Sequence, residues 1–511
     1  MQNRLWRWDF CLAVGHFLTV SAVNAQTYWI VTINRTLRNG CLKHIQTPVL
    51  KRMEVSVYGK KAIKREIYQI IIPMILENIL QISANLVITA MVGRLLANDI
   101  SAQGICIRIT DTLWCFYKGV AIGATVLIAR AYGGGRHQEC RKIAEQTMLT
   151  EMIIVLIFQV VLYFQAPVFL GFFSKDAQIL SLAQGYMKTI VFGFPFVVIM
   201  TVVTASFQGY GNTKVPMYIA VLMNVVNIIC GYCFIFGAFG IPGMGIKGAA
   251  TALVTAQAVG ACTGLYLLYK KKGGLFRKMP AAHRFFSFDR RCIYEIYTTG
   301  IPAALESMFW QFSAIILSKV ILFYGNQAFA AYQLGIQAEE ITEMPAIGFS
   351  TASTTLAARA IGRQDEELRR VYFKELLKVG VVISSITSVL LIFLPQFFMT
   401  LMTDKPELQA IGVVYVFVMG FIQIPQNLSR IYNGTIRAMG YKNAPMLVAG
   451  FGIWIVRIPL CMLAAYVLGL PLTAIWIIIA VDQISRFLLS AGLYYRINRK
   501  RERILEAAQD G

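Results

Sequence analysis

From about residue 66 the chain alternates between long apolar runs and short polar breaks. The runs cover roughly 66–92, 99–126, 143–166, 178–203, 215–237 and 247–269. After a basic linker come 294–323, 328–351, 373–395, 408–431, 444–467 and 471–495. Each is near the ~20 residues that a helix needs to cross a bilayer. The pattern predicts an all-α polytopic membrane protein with about twelve transmembrane helices. One run departs from the others. Residues 328–351 (AFAAYQLGIQAEEITEMPAIGFST) carry Glu339, Glu340 and Glu343 near their centre. A charge at that depth costs roughly 2.5–3.5 kcal/mol on a lenient scale, so these acids must face protein or water, or carry protons.

The apolar pattern repeats. Shifting the chain by 229 residues brings IIPMILENIL (71–80) onto GIPAALESMF (300–309), with Pro73 on Pro302 and Glu77 on Glu306. The same offset puts Arg130 on Arg359, Gly119 on Gly348, Gly133 on Gly362, Gly211 on Gly440 and Pro216 on Pro445. Each half holds six runs, an even number, so the two halves share one orientation and are related by an axis along the membrane normal. Such repeats place a substrate site between the halves, and one half rocks against the other. The expected division is an N-terminal extension (1–59), an N-terminal six-helix lobe (60–269), a basic linker (270–293), a C-terminal six-helix lobe (294–495) and a basic tail (496–511).

Composition agrees with the pattern: 57% of the 511 residues are hydrophobic and 14% are charged. The net charge of +22 would suggest nucleic acid in a soluble protein. Here its position explains it. One set of loops holds Lys60, Lys61, Lys64, Arg65, Arg130, Arg136, Arg141 and Lys142, the linker, 359–374 and the tail. The other holds only Arg94, Lys175, Lys247 and Lys405. Basic loops lie inside, so both termini are expected in the cytoplasm of a bacterial cell with the chain in its inner membrane. No nucleic-acid partner is expected, only a small-molecule substrate and membrane lipid, with the protein a monomer. The ten cysteines are scattered, and the four histidines (16, 44, 137 and 283) lie outside the runs. This implies no metal framework and no histidine relay. No HExxH, GxSxG or P-loop pattern occurs, so neither an enzyme nor a cofactor is expected. Residues 11–23 resemble a signal peptide interrupted upstream by Asp9, while Met53 opens an ordinary start. Residues 1–52 are therefore expected to be a non-functional upstream extension.

The chemistry lies with charges inside the runs. Glu77 and Glu306 are repeat partners, as are Asp111 and Glu340. A buried carboxylate for which substrate and coupling ion compete is the minimum chemistry of antiport. Glu339, Glu340 and Glu343 share one broad helix face. Arg108, Asp111, Cys115 and Lys118 form a polar stripe, from which Arg108 could neutralise Asp111 or reach Glu340. Arg430, Arg457 and Arg486 would hold acids or bind an anionic substrate. Asn227, Trp310, Tyr332, Met344 and Gln426 are expected to line the cavity, since rings attract cations and methionine adapts to shape.

The segments GIPAALE (300–306), AEEITEMPAIGFSTASTTLAARAIG (338–362), RAMGYKNAP (437–445) and GIKGAATA (245–252) resemble the MATE family of multidrug and toxic-compound exporters, closest to its bacterial DinF-like branch. The resemblance spans residues 60 to about 500. It implies twelve helices in two lobes and export of organic, often cationic, compounds in exchange for protons or sodium. Glu339 matches an acid of the family's eighth helix. Acids that the family carries elsewhere are absent: their positions hold Ile88, Gly231, Gln426 and, nearby, Trp310. Coupling is therefore expected in the C-terminal half, first at Glu339, then Glu306, with sodium at the acids of the seventh and eighth helices as the other option. The alternative is a flippase for a lipid-linked or otherwise anionic precursor, whose phosphate Arg108, Lys118, Arg430 and Arg457 would hold.

Overall fold

The computed structural model describes residues 60–92, 97–171, 176–238, 240, 242–269, 275–276 and 288–507. The N-terminal extension, with its signal-like run, most of the linker and the last tail residues lie outside them. Twelve long helices follow in order: α1 (Lys60–Val92), α2 (Ala97–Gly133), α3 (His137–Gly171), α4 (Ala177–Gly209), α5 (Lys214–Phe236) and α6 (Ile246–Tyr269), then α7 (Arg290–Leu322), α8 (Asn326–Gly362), α9 (Glu366–Phe393), α10 (Pro406–Ala438), α11 (Ala444–Val467) and α12 (Leu472–Ala507). A short helix, Pro395–Met402, precedes α10. Among the described residues there is no strand.

The 229-residue repeat is built into the backbone. α2 and α8 begin at 97 and 326 and end at 133 and 362; α4 and α10 run over 177–209 and 406–438. Left-handed residues recur at the same offset: Gly135 and Gln364, Gly211 and Gly440, Gly240 and Gly469. A helix that turns through a left-handed residue favours glycine there, because glycine has no Cβ to clash.

Ten of these helices are long and apolar enough to cross a membrane; α1 and α8 are as long but less apolar. The reason is visible in α8, whose three glutamates interrupt the run that length alone would make a span. α1, α7, α8 and α10 continue through Pro73, Pro302, Pro345 and Pro425. Pro195 instead opens the resumed helix after a 3-10 turn at Val191–Gly193 in α4, where it has no helical hydrogen bond to lose. α11 winds as a π-helix over Phe451–Arg457 and Leu463–Val467.

The halves interlock at the end carrying the basic loops. Ile63, Ile67, Ile70, Ile71 and Met74 form a helical stripe on α1. It packs into a cluster with Phe349, Phe373, Tyr432 and Tyr494 from the other half. At the same end Asp289 caps α7, accepting the Cys292 N–H at 3.0 Å and pairing with Lys142 of α3. The Lys142 ammonium, then the Cys292 N–H, holds its carboxyl below the usual range. An acid whose pKa falls on folding stabilises at neutral pH and loses that contribution as pH drops through the folded value. Asp289→Ala is therefore expected to cost about 1 kcal/mol at pH 7. In thermal unfolding in detergent, the difference from wild type should shrink towards acid pH.

Candidate functional site

Two repeat-related arginines close one end of the molecule. Arg130 of α2 donates to the Ala438 carbonyl at 2.8 Å, at the end of α10. Arg359 of α8 donates to the Tyr210 carbonyl, just past α4. Each guanidinium thus caps the last carbonyls of a helix from the opposite half, where the helix dipole favours a cation. Arg359 is also ion-paired to Glu66 at 2.9 Å and lies over the Tyr132 ring at 4.8 Å. Tyr372 donates to the same Glu66 at 2.7 Å. Between the arginines the two backbones touch: a Cβ at Gly133 would overlap the Arg359 carbonyl, and one at Gly362 the Arg130 carbonyl. Gly362→Val should therefore hold this end ajar. Overpacking costs typically 1–3 kcal/mol, which is roughly five- to 150-fold in the closed population. Faster labelling of a cysteine placed in the seam is the measurement, and an unchanged rate would contradict the expectation.

In the C-terminal half, α7, α8, α10, α11 and α12 surround a polar cavity of roughly 90 Å³ whose lining includes Glu306, Trp310, Gln426, Arg430, Arg437 and Arg486. Two of the acids expected to compete for ions, Glu306 and Glu343, are engaged. Glu306 is paired with Arg437 at 2.6 Å. Glu343 is paired with Arg430 and accepts from Gln426 at 3.2 Å. Asp482 of α12 is shared by Arg457 at 2.8 Å and Arg486 at 2.5 Å. The same two guanidiniums flank Trp310, at 5.0 and 4.2 Å from its ring.

Glu339 differs from these. It is buried and accepts the Tyr415 hydroxyl at 2.6 Å, with no ion pair among the described residues. Arg430 and Arg457 are within electrostatic reach. Three paired acids face four arginines here, so the charge on Glu339 decides whether the set is neutral or carries one surplus positive charge.

The shared face expected for the three α8 glutamates splits in two. Glu339 and Glu343 meet α10, whereas Glu340 is exposed and lies within reach of Arg108 on α2. Arg108 and Lys118 also act on Asp111, and all three are exposed. Elsewhere α2 packs tightly against α8 around Val126, Ala129, Ala357 and Ala358. Of the expected lining residues, Trp310 and Gln426 reach the cavity. Tyr332 instead stacks on Trp476 (5.4 Å, 15°) behind Tyr415, and Met344 is buried. Glu77 is half-buried, with no ion pair among the described residues.

In the N-terminal half, two positions that the resembled family fills with acids touch each other. A Cβ at Gly231 would meet Ile88 Cδ1 at 2.7 Å. An apolar contact thus occupies the ground of an acid pair. Nearby Asn227 is buried with its Oδ1 unpartnered. Sequence reasoning overlooked Asp482 and Glu151, both fully buried. The signal was available, since each is an acid inside an apolar run, the feature that singled out Glu339.

Comparisons with known proteins agree with the repeated fold. A family model described as MatE matches twice, over residues 73–233 and 302–463, with starts 229 residues apart. A relative named probable multidrug resistance protein NorM, from Thermotoga maritima, is 28% identical over 454 residues, covering 87% of this chain and 96% of its own length. Among solved structures, an outward-facing MATE family transporter of the MOP superfamily superposes with a TM-score of 0.77 at 17% identity, covering 86% of this chain and 97% of that one. A MOP superfamily transporter from Pyrococcus furiosus, described as having a binding pocket of reverse polarity that suggests a different function, superposes with a TM-score of 0.79 at 18% identity. It covers 86% of this chain and 96% of that one. At these identities the structures speak for the fold alone.

Proposed function

Since this chain belongs to the MatE family of membrane transporters, which are not enzymes, we propose that it exports organic, cationic compounds by antiport with protons, through alternating access between two six-helix lobes. The observation that carries this is Glu339, a buried carboxyl held only by a tyrosine hydroxyl inside a set of four arginines. All twelve long helices cross the bilayer in this reading. The arginine-capped end, bearing the basic loops, faces the cytoplasm of a bacterial cell. The arrangement described is then open outwards.

A proton arriving from outside neutralises Glu339 and leaves the arginine set with one surplus positive charge. Two unit charges about 8 Å apart at an effective dielectric of 20 repel by about 2 kcal/mol. A cation resting near Glu340 and Asp111 is weakened by such repulsion and leaves outwards. Inside, loss of the proton removes the surplus and a new cation binds. A proton suits this site better than sodium. Tyr415 and the arginines are hydrogen-bond donors, whereas a hard cation needs a shell of oxygen acceptors. Of the acids expected to take part, Glu306 and Glu343 serve in this scheme by holding Arg437 and Arg430 in place.

The second reading, a flippase for an anionic precursor, is favoured by Arg430, Arg437 and Arg486 around one cavity. Proteoliposomes holding a cationic dye separate the two. Dye efflux driven by an imposed proton gradient, but not by a sodium gradient, is the expected result. No response to either gradient, together with translocation of an anionic lipid, would replace the exporter with the flippase.

A further inference from the structure

Glu151 sits in α3 and is fully buried, at 0% exposure. Among the described residues neither of its carboxylate oxygens has a hydrogen-bond partner. The groups around it are uncharged. From α2 comes Tyr117, whose hydroxyl has no partner among the described residues, and from α7 Tyr297, whose hydroxyl meets Thr150; both lie within electrostatic reach. Lys118, next to Tyr117, is exposed. On α3 itself, Thr147 and Thr150 donate to their own helix's carbonyls. The only charged side chain of α4, Lys188, lies over the Tyr163 ring at 5.7 Å. Among the described residues no base stands close enough to offset a charge on Glu151.

The fold does not demand an acid here. At the repeat-related positions stand Gly380 for Glu151 and Ala346 for Tyr117. Glu151 is an addition to one half only. It also lies by the seam where the halves meet: α2 and α7 run so close that a Cβ at Gly123 would stand 2.8 Å from the Gly300 nitrogen. An ionised carboxylate with neither donor nor counter-charge is not tolerated in such a dry interior, whereas a neutral carboxyl is.

We propose that Glu151 is a second proton-binding site, separate from Glu339. Its carboxyl oxygen holds a proton while the α2–α7 seam is shut. It gives the proton to water when the lobes rock and the seam opens. The role in transport rests on the proton-driven reading above; the bound proton itself does not.

Infrared spectroscopy of the full chain in lipid at pH 7.5 tests this. Wild type should show a protonated-carboxyl C=O band, slow to exchange in D2O, that is missing from Glu151→Gln and retained in Glu339→Gln. Spectra of wild type and Glu151→Gln that coincide in this region would overturn the proposal. Should Glu151→Gln fail to fold, Glu151→Asp must keep a shifted band, and absence of any band there would overturn it equally. In proteoliposomes, the pH dependence of efflux of the cationic dye ethidium should fall in steepness from about two protons to about one in Glu151→Gln. Unchanged steepness would refute the transport role. If wild-type ethidium efflux ignores the proton gradient while the band persists, the exporter reading fails and the proton site stands.

Discussion

Glu339→Gln is expected to lose proton-driven efflux while the protein still folds and still lets substrate equilibrate down its own gradient. The substitution is nearly isosteric, and a glutamine oxygen can accept the Tyr415 hydroxyl that the carboxylate accepts at 2.6 Å. The net worth of one such bond is about 1 kcal/mol, so little stability is at stake. What disappears is the only member of the central charge set that lacks an ion pair and can change its charge cheaply. In wild type, gaining or losing that proton changes repulsion on a nearby cation by about 2 kcal/mol, roughly thirtyfold in affinity. Cation binding should therefore strengthen as pH rises in wild type and become nearly pH-independent in Glu339→Gln. Dye binding to the purified protein at two pH values reads this directly. A variant that keeps the wild-type pH dependence would move the coupling site elsewhere.

The largest loss of stability is expected from Asp482→Asn. Asp482 has no exposed surface and is bonded to two guanidiniums whose side chains are 7% and 6% exposed. Removing its charge leaves both arginines buried with no counter-ion. Breaking a buried pair in this way costs about 3–5 kcal/mol, because the stranded charge cannot reach water. Trp310, flanked by the same two guanidiniums, should report the collapse through its fluorescence. Glu343→Gln provides the comparison: its partner Arg430 is 31% exposed and can recruit water, so the cost should be smaller. Thermal unfolding that ranks the two variants in the opposite order would contradict this picture of the network.

The all-helical membrane fold and the two-fold repeat were legible because both rest on signals carried by many residues. A bilayer demands long apolar runs, and a duplicated backbone needs its special conformations twice, as at Gly211 and Gly440. The importance of charges inside the runs was legible too, since each is costly in lipid. Their pairing was not. Glu306 and Arg437 lie 131 residues apart and Arg359 and Glu66 lie 293 apart, and no local periodicity links them. Two of the acids that seemed free in the sequence, Glu306 and Glu343, are held by arginines, and this shifts the emphasis among the remaining ones to Glu339. The distinction between Tyr332, packed behind Tyr415, and Trp310, facing the cavity, is equally invisible to helical spacing. It depends on which neighbouring helix each ring meets.

The central claim is that one proton on Glu339 is exchanged for one cationic substrate. Proteoliposomes loaded with a cationic dye and a trapped pH indicator test it most directly. Dye leaving down its own gradient should acidify the lumen in wild type, and the same dye flux through Glu339→Gln should acidify it by about half as much, the rest being the proton carried by Glu151. Acidification in the variant equal to that of wild type, or wild-type dye efflux with no proton movement, would contradict it.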